Sequence, residues 1–549
     1  MSVLLFASAL LALAPRPLAV SVDAKDGDAI HGERTLRVSV TSDTAINQVE
    51  FYVNGELRDT DTSTPYEFKL DTVGEPDAPI KLRFKAYTVA SKTAEKSITL
   101  KVDNGMDKGA PFHVDRANEL LTDGKYAEAR DEGKIALKID KASVGARLVL
   151  ARAYSGLNEL DQAQLQAEEA KSAEPGNATA LNLLAGINVR RAFAIYAKPD
   201  ADRAEVLKQI KDALAAAVTS RKGALDATVD ATKPDPANPL PYADAALQAR
   251  RYGAVIDVLT PAFMRDQKNP AIGERLAYAQ IRTNRTQDAV NTLKTLQRAG
   301  GSLTAYGSAL KAAALADAGD DAGSDEAMRD AVLADSENLG VRTAQAYIAL
   351  KRNNGSSISR ISADLSKDAG QRPDVRYFQM AVAARNQEYS QAQHAFESGV
   401  LAEPAAADLY VEYANDAIAI TQRANISAKD KAQHYAEARV YFDTALIARP
   451  EAAEALAGLA MVAAFEGKGP EAVRYAQAAT TAAPNDAGAF YALAAAQALN
   501  RNVAAAQAAN ARAGRLDPKY LGGRQIPDAP AVWRYLGTSG RPVVLVAPV

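Results

Sequence analysis

The chain has 549 residues, 48% of them apolar and 24% charged, with a formal net charge of −3. At roughly 150 residues per domain this length holds several domains or one long repeat array, and the composition is that of a protein that buries a core. The near-balanced charge gives no electrostatic basis for binding nucleic acid or an anionic membrane; with no cysteine, thiol nucleophiles, iron–sulfur clusters, disulfides and cysteine-held zinc are excluded.

Residues 1–14 (MSVLLFASALLALA) form an unbroken run of apolar and small side chains. The run falls short of the ~20 residues that span a bilayer and suits the apolar core of a secretory signal. A signal over residues 1–16 is therefore predicted, and with it an extracytoplasmic protein: periplasmic, cell-surface or secreted. No Lys or Arg precedes the run, and Pro15 directly follows its small-residue site. Later windows lack ~20 consecutive apolar residues, so no transmembrane segment is expected beyond the signal.

Residues 17–104 change to period-two patterning. LRVSV at 36–40, VEFYV at 49–53, IKLRFKAY at 80–87 and SITLKV at 97–102 alternate, separated by turn residues such as Asn54-Gly55. Six or seven short strands at this spacing predict a β-sandwich. Asn54-Gly55 marks a tight hairpin, because both central residues must take positive φ. The stretch VEFYVNGELRDTDTSTPYEFKLDT at 49–72 resembles the central part of bacterial immunoglobulin-like domains. That likeness implies a spacer or adhesive module and brings no catalytic residues. Asp23, Asp26 and Asp28 are expected in a solvated loop rather than around Ca²⁺.

From about residue 105 to 520 the pattern becomes helical and repeats. Pro450, Pro484 and Pro518 fall 34 residues apart, each preceded by small residues at matching positions (Ala438 and Ala445, Ala472 and Ala479, Ala506 and Ala513). Ala117, Leu120, Gly124, Tyr126, Ala129 and Ala136 show the same order near the start of the array. This resembles the tetratricopeptide repeat, in which small residues mark where two antiparallel helices touch and proline follows the second helix. The fold expected is mostly α: a solenoid of about ten to eleven helical hairpins behind a small all-β immunoglobulin-like sandwich. Weaker units are placed near 236–270, 271–304, 305–338, 339–372 and 373–406. Insertions are placed near 191–235, with a helix at 201–218 followed by the loop DATVDATKPDPANP, and near 421–433. Residues 521–549, with the chain's one tryptophan, Trp533, and the apolar ending PVVLVAPV, are expected to cap the last repeat, or else to pair as a strand with a sheet edge.

The motifs of catalysis are missing. His31, His113, His394 and His434 are scattered without ligand spacing, and the GxSxG, phosphate-loop and dinucleotide patterns do not occur. No catalytic residue, cofactor or metal is expected. The acidic stretch DAGDDAGSDE is expected to be a helix–helix turn. What the tetratricopeptide resemblance implies is a concave groove for a partner's extended peptide or helix. By register it would present Leu148, Val149, Arg152, Asn182, Leu183 and Arg190 early in the array, and Met461, Phe465, Tyr491 and Leu499 in the last two units. The function expected is an exported, non-enzymatic scaffold for protein partners in the bacterial cell envelope. The alternatives are a carbohydrate- or surface-adhesion module, for which Tyr52 and Tyr66 on one sheet face would be the sign, and an accessory subunit of an envelope enzyme.

Overall fold

The computed structural model describes residues 16–196, 202–423, 425–517, 525–538 and 545–548. The predicted signal run, residues 1–14, lies outside them. The chain divides into two compact units, Met1–Pro175 and Gly176–Val549.

The first unit opens with eight strands: β1 (Ala19–Val22), β2 (Ala29–Ile30), β3 (Glu33–Thr41), β4 (Ile46–Val53), β5 (Glu56–Asp61), β6 (Tyr66–Asp71), β7 (Pro79–Thr88) and β8 (Thr93–Val102). They form two facing sheets, ordered β1-β3-β6 and β2-β8-β7-β4-β5. Alternation decides which side chains meet between them: Phe51, Phe68 and Phe84, with centroids 5.0 to 5.9 Å apart, make the centre of the sandwich. Asn54 and Gly55 both take positive φ, 51° and 92°, as the β4–β5 hairpin requires.

Two helical hairpins complete this unit: α1 (Ala110–Thr122) with α2 (Tyr126–Ile139), and α3 (Val144–Gly156) with α4 (Leu160–Ala173). Ala117, Ala129, Ala136, Ala153, Ala163 and Ala170 are wholly buried, because a methyl group lets the paired helix axes approach closely. The sandwich is fastened to α2. Glu33 N donates to Asp131 Oδ2 at 2.8 Å, and Lys138 Nζ donates to the carbonyl oxygens of Val73 (2.5 Å) and Glu75 (3.0 Å).

The second unit continues with nine more hairpins among the described residues. They are α5 (Ala178–Tyr196) with α6 (Arg203–Thr232), α7 (Leu240–Gln248) with α8 (Tyr252–Arg265), and α9 (Pro270–Arg282) with α10 (Thr286–Arg298). Next come α11 (Ala305–Asp317) with α12 (Asp321–Ala334), α13 (Leu339–Lys351) with α14 (Gly355–Ala369), and α15 (Pro373–Arg385) with α16 (Tyr389–Ala402). The last are α17 (Ala407–Thr421) with α18 (Ala428–Ala448), α19 (Ala453–Phe465) with α20 (Gly469–Ala482), and α21 (Ala487–Leu499) with α22 (Val503–Leu516), followed by α23 (Ala529–Thr538). First helices of neighbouring hairpins pack on one another, α9 on α11, α11 on α13 and α19 on α21 among them. They make an inner layer. A hairpin alone cannot bury its apolar face, so stacking supplies the core.

The inserted segments differ from the sequence expectation in one respect. The helix placed at 201–218 runs on to Thr232 as α6, so the first half of the expected loop is helical. Its far end is drawn into packing: Ala224 and Val229 are buried, and Arg251 holds Asp226 at 2.6 Å. The body of α6 lies on α18 and is tied to the later repeats, with Lys211 on Asp443 at 2.6 Å and Arg221 gripping Glu403 at 2.7 to 3.1 Å. The acidic stretch forms the turn into α12, where Asp320 caps the helix by accepting from Gly323 N.

Candidate functional site

The inner layer of the second unit carries a ladder of buried polar groups. Asp408, at the start of α17, receives Arg282 of α9 at 2.9 Å and Arg449 at 3.1 Å, and Arg250 stands 3.8 Å away. Arg282 also faces the Tyr252 ring at 4.9 Å, so its charge is covered by both a carboxylate and a π face. Burial pushes Asp374, on α15, above its usual value, with Arg250 and Arg282 opposing it. A polar cavity of about 450 Å³ adjoins this network, lined by Arg282, Lys351, Asp408, Arg449 and Asp517 among others.

Against the same layer lies the chain's own carboxy-terminal segment. Leu545 is fully buried and Val546 is 5% exposed. The hydroxyl of Tyr278, on α9, donates to the Leu545 carbonyl at 3.2 Å, and the hydroxyl of Tyr306, on α11, donates to the Val546 carbonyl at 2.6 Å. Arg282 Nη1 donates to the Tyr278 oxygen at 3.1 Å. Because guanidinium can only donate, the Tyr278 proton is directed at the carbonyl. Burial raises both phenols above their ordinary range, so they remain donors at any physiological pH. Gly340, on α13, leaves the space for the Tyr306 ring: a Cβ there would fall 1.9 Å from a ring carbon.

The ten groove residues expected from register fall into three settings. In the first unit Leu148 is half-buried, Val149 is buried, and exposed Arg152 donates to Asn118 Oδ1 at 2.8 Å. In the second unit, on α5, Leu183 is half-buried and Arg190 exposed, while exposed Asn182 accepts from Arg221 Nη1 at 2.8 Å. Near the end of the array the apolar patch is covered by the protein itself: α23 packs on α19 and α21, burying Met461 and Tyr491 in one cluster with Val532 and Tyr535. Phe465 is half-buried and stacks on Tyr435 at 5.8 Å; Leu499 remains 42% exposed. Register thus gathers Met461, Phe465 and Tyr491 at one place, and it does not point to Tyr278, Tyr306, Arg282 or Asp408. No local motif marks those four; an arginine within an otherwise buried helix end is the faint signal available.

Two histidines read as isolated converge at the sandwich–repeat junction of the first unit. Buried Glu132 accepts from His113 Nδ1 at 2.6 Å, contacts Arg116 Nε at 2.5 Å and meets His31 Nε2 at 3.1 Å. The hydrogen bond to Glu132 raises the His31 pKa, against burial, which lowers it. For Glu132 burial acts upward, but the bonds from His31 and His113 outweigh it and hold the carboxyl below its usual value. On the sandwich, Tyr66 is buried in the core, whereas Tyr52 lies outside it under the Arg83 guanidinium, 4.1 Å from its ring centroid. The two tyrosines do not share a face, so they make no stacking platform for a sugar.

The fold therefore defines an α-solenoid of helical hairpins behind an immunoglobulin-like sandwich. Residues 17–103 match the family described as bacterial Ig domain, and residues 120–187 match the tetratricopeptide repeat. The chain thus carries a bacterial immunoglobulin-like domain followed by tetratricopeptide repeats, and such repeats are interaction scaffolds. Among solved structures, yeast Tom70 aligns at 14% identity over 79% of this chain and 96% of its own, with a TM-score of 0.34. A tetratricopeptide protein of Thermus thermophilus aligns at 19% identity over 34% of this chain and 94% of its own, with a TM-score of 0.31. The fibronectin(III)-like modules of Clostridium thermocellum CbhA align at 22% identity over 16% of this chain and 97% of theirs, with a TM-score of 0.14. No curated protein matches the sequence. No helix among the described residues is long and apolar enough to cross a membrane.

Proposed function

We propose that this protein is an exported, non-enzymatic scaffold of the bacterial cell envelope that holds a protein partner as an extended segment on the inner layer of its second unit. The observation that carries the reading is the seat on Tyr278 and Tyr306, where two side-chain hydroxyls grip consecutive main-chain carbonyls and two apolar side chains are buried. The apolar run at residues 1–14 supports export. The energetics suit exchange. Burying Leu545 and Val546 contributes about 1.5–3 kcal/mol each, and the two hydrogen bonds about 0.5–1.5 kcal/mol each. Fixing a four-residue segment costs about 1–2 kcal/mol per residue. Within these ranges the segment is held by no more than a few kcal/mol, so a segment enters and leaves the seat.

The test is crosslinked capture from fractionated cells, using the full chain and the same chain with Tyr278→Phe and Tyr306→Phe. Retention of one or two envelope proteins by the first bait and their loss with the second is expected. Retention unaffected by the tyrosine pair but abolished by Tyr52→Ala would move the function to the sandwich and overturn the reading.

A further inference from the structure

We propose that residues 545–548 are a tethered competitor. They fill the Tyr278–Tyr306 seat, and a partner binds by displacing them with its own extended, uncharged segment bearing two adjacent branched aliphatic side chains. The proposal rests on the reading that this surface binds peptides, and names its occupant and its control.

The grip is on the main chain. Both tyrosine hydroxyls bond carbonyl oxygens, a feature every extended segment offers, so the hydrogen bonding does not single out this tail. Selection falls to the side chains. Residues 542–549, PVVLVAPV, bear no charged side chain, and of the described residues 545–548 Leu545 and Val546 are the two that bury. Release of the segment takes the carbonyl acceptors from the Tyr306 hydroxyl and the Arg282-directed Tyr278 proton, and an incoming segment's carbonyls replace them.

The contrast with the other self-packed elements is instructive. The inserted α6 is a helix of 30 residues anchored by the Lys211–Asp443 and Arg221–Glu403 ion pairs, and α23 is a helix packed on two others. The segment at 545–548 has neither helix nor strand. Its backbone forms no ladder that would have to be broken for release. Being tethered, it competes at an effective concentration on the order of millimolar, enough to exclude weak ligands while yielding to a tight one.

The probe is a fluorescein-labelled peptide PVVLVAPV, followed by anisotropy against three proteins: the full chain, a chain ending at Gly540, and the full-length double variant Leu545→Asp with Val546→Asp. The second and third are expected to bind it about 10- to 100-fold more tightly than the first, the gain set by the fraction of seats the tail occupies. Adding Tyr278→Phe and Tyr306→Phe to the shortened chain should weaken binding about tenfold. Equal, measurable affinity for all three proteins would overturn the competitor while leaving the peptide-binding surface standing. No binding by any of them would overturn both. Far-UV circular dichroism accompanies each protein. If the shortened chain fails to fold, the double variant decides; if both fail, the segment is a structural plug and the proposal falls. Light scattering of the full chain that shows dimers growing with concentration would place the tail in a second copy and overturn the within-chain competitor.

Discussion

Replacing Glu132 by glutamine should loosen the junction between the sandwich and the first hairpin while leaving the far strands of the sandwich unchanged. Glu132 is 2% exposed and its two oxygens serve His113, His31 and Arg116. Breaking a buried ion pair costs about 3–5 kcal/mol when its partner is stranded. Here glutamine keeps one acceptor oxygen for His113, and the partly exposed His31 and Arg116 return to water, so what is lost is the buried carboxylate's charge and the lower end applies, about 3 kcal/mol. Hydrogen exchange reads this locally. The amide of Gly32, held by Asn104 Oδ1, and that of Glu33, held by Asp131 Oδ2, report opening of the junction. Their exchange should quicken about 100-fold in the variant, with β4 and β7 unaffected. The junction is also pH-dependent. His31 is raised above 6.5, so its contribution is complete below that value and is lost as pH rises through the folded pKa. Glu132 is held below 4.5, so its contribution is complete above that value and is lost as pH falls through the folded pKa. Protection should therefore peak between pH 4.5 and 6.5, set by those two reference values, and the acid-side loss should be absent in Glu132→Gln. Unchanged exchange in the variant, or a profile flat from pH 4 to pH 9, would refute this account of the junction.

Three further substitutions probe the second unit. Asp408→Asn removes the carboxylate between Arg282 and Arg449, and should cost about 3–5 kcal/mol, measured by urea denaturation. Gly458→Ala places a Cβ 2.2 Å from the buried Phe442 ring and should destabilise by about 1–3 kcal/mol through overpacking, seen as a lowered midpoint. Arg221→Ala releases the bidentate hold on Glu403. Limited proteolysis should then cut the segment after α6 faster, with a loss of about 1–3 kcal/mol.

Local rules carried much of the fold into the sequence. Proline two residues beyond α18 and α20, alanine at the helix contacts, and Asn54-Gly55 at positive φ are each decided by a residue and its immediate neighbours. The middle repeats read weakly for a physical reason. Among the described residues the turns inside the hairpins place a residue in the left-handed region, which is glycine at 124, 319 and 467 but Asn158, Arg250, Asn284, Asn353, Gln387, Asn425 and Arg501 elsewhere. Those residues accept the strain because stacking fixes the turn, and a glycine signal disappears. The continuation of α6 through DATVDAT was hidden for a related reason: its Asp and Thr are poor helix formers, overridden by packing of Val229. The seat on Tyr278 and Tyr306 joins residues 267 and 240 positions apart, and Glu132 joins residues on both sides of a domain boundary. Neither leaves a periodic trace.

The central claim, that the inner layer of the second unit seats an extended segment in exchange, is met most directly by a single label on the tail. The natural chain has no cysteine, so Ala547→Cys, at a position packed against the core, takes one environment-sensitive dye. The account predicts a dye that starts buried and shifts to a solvated spectrum on titration with unlabelled PVVLVAPV, with saturation. A dye solvated from the start, or one that stays buried at saturating peptide, would contradict it.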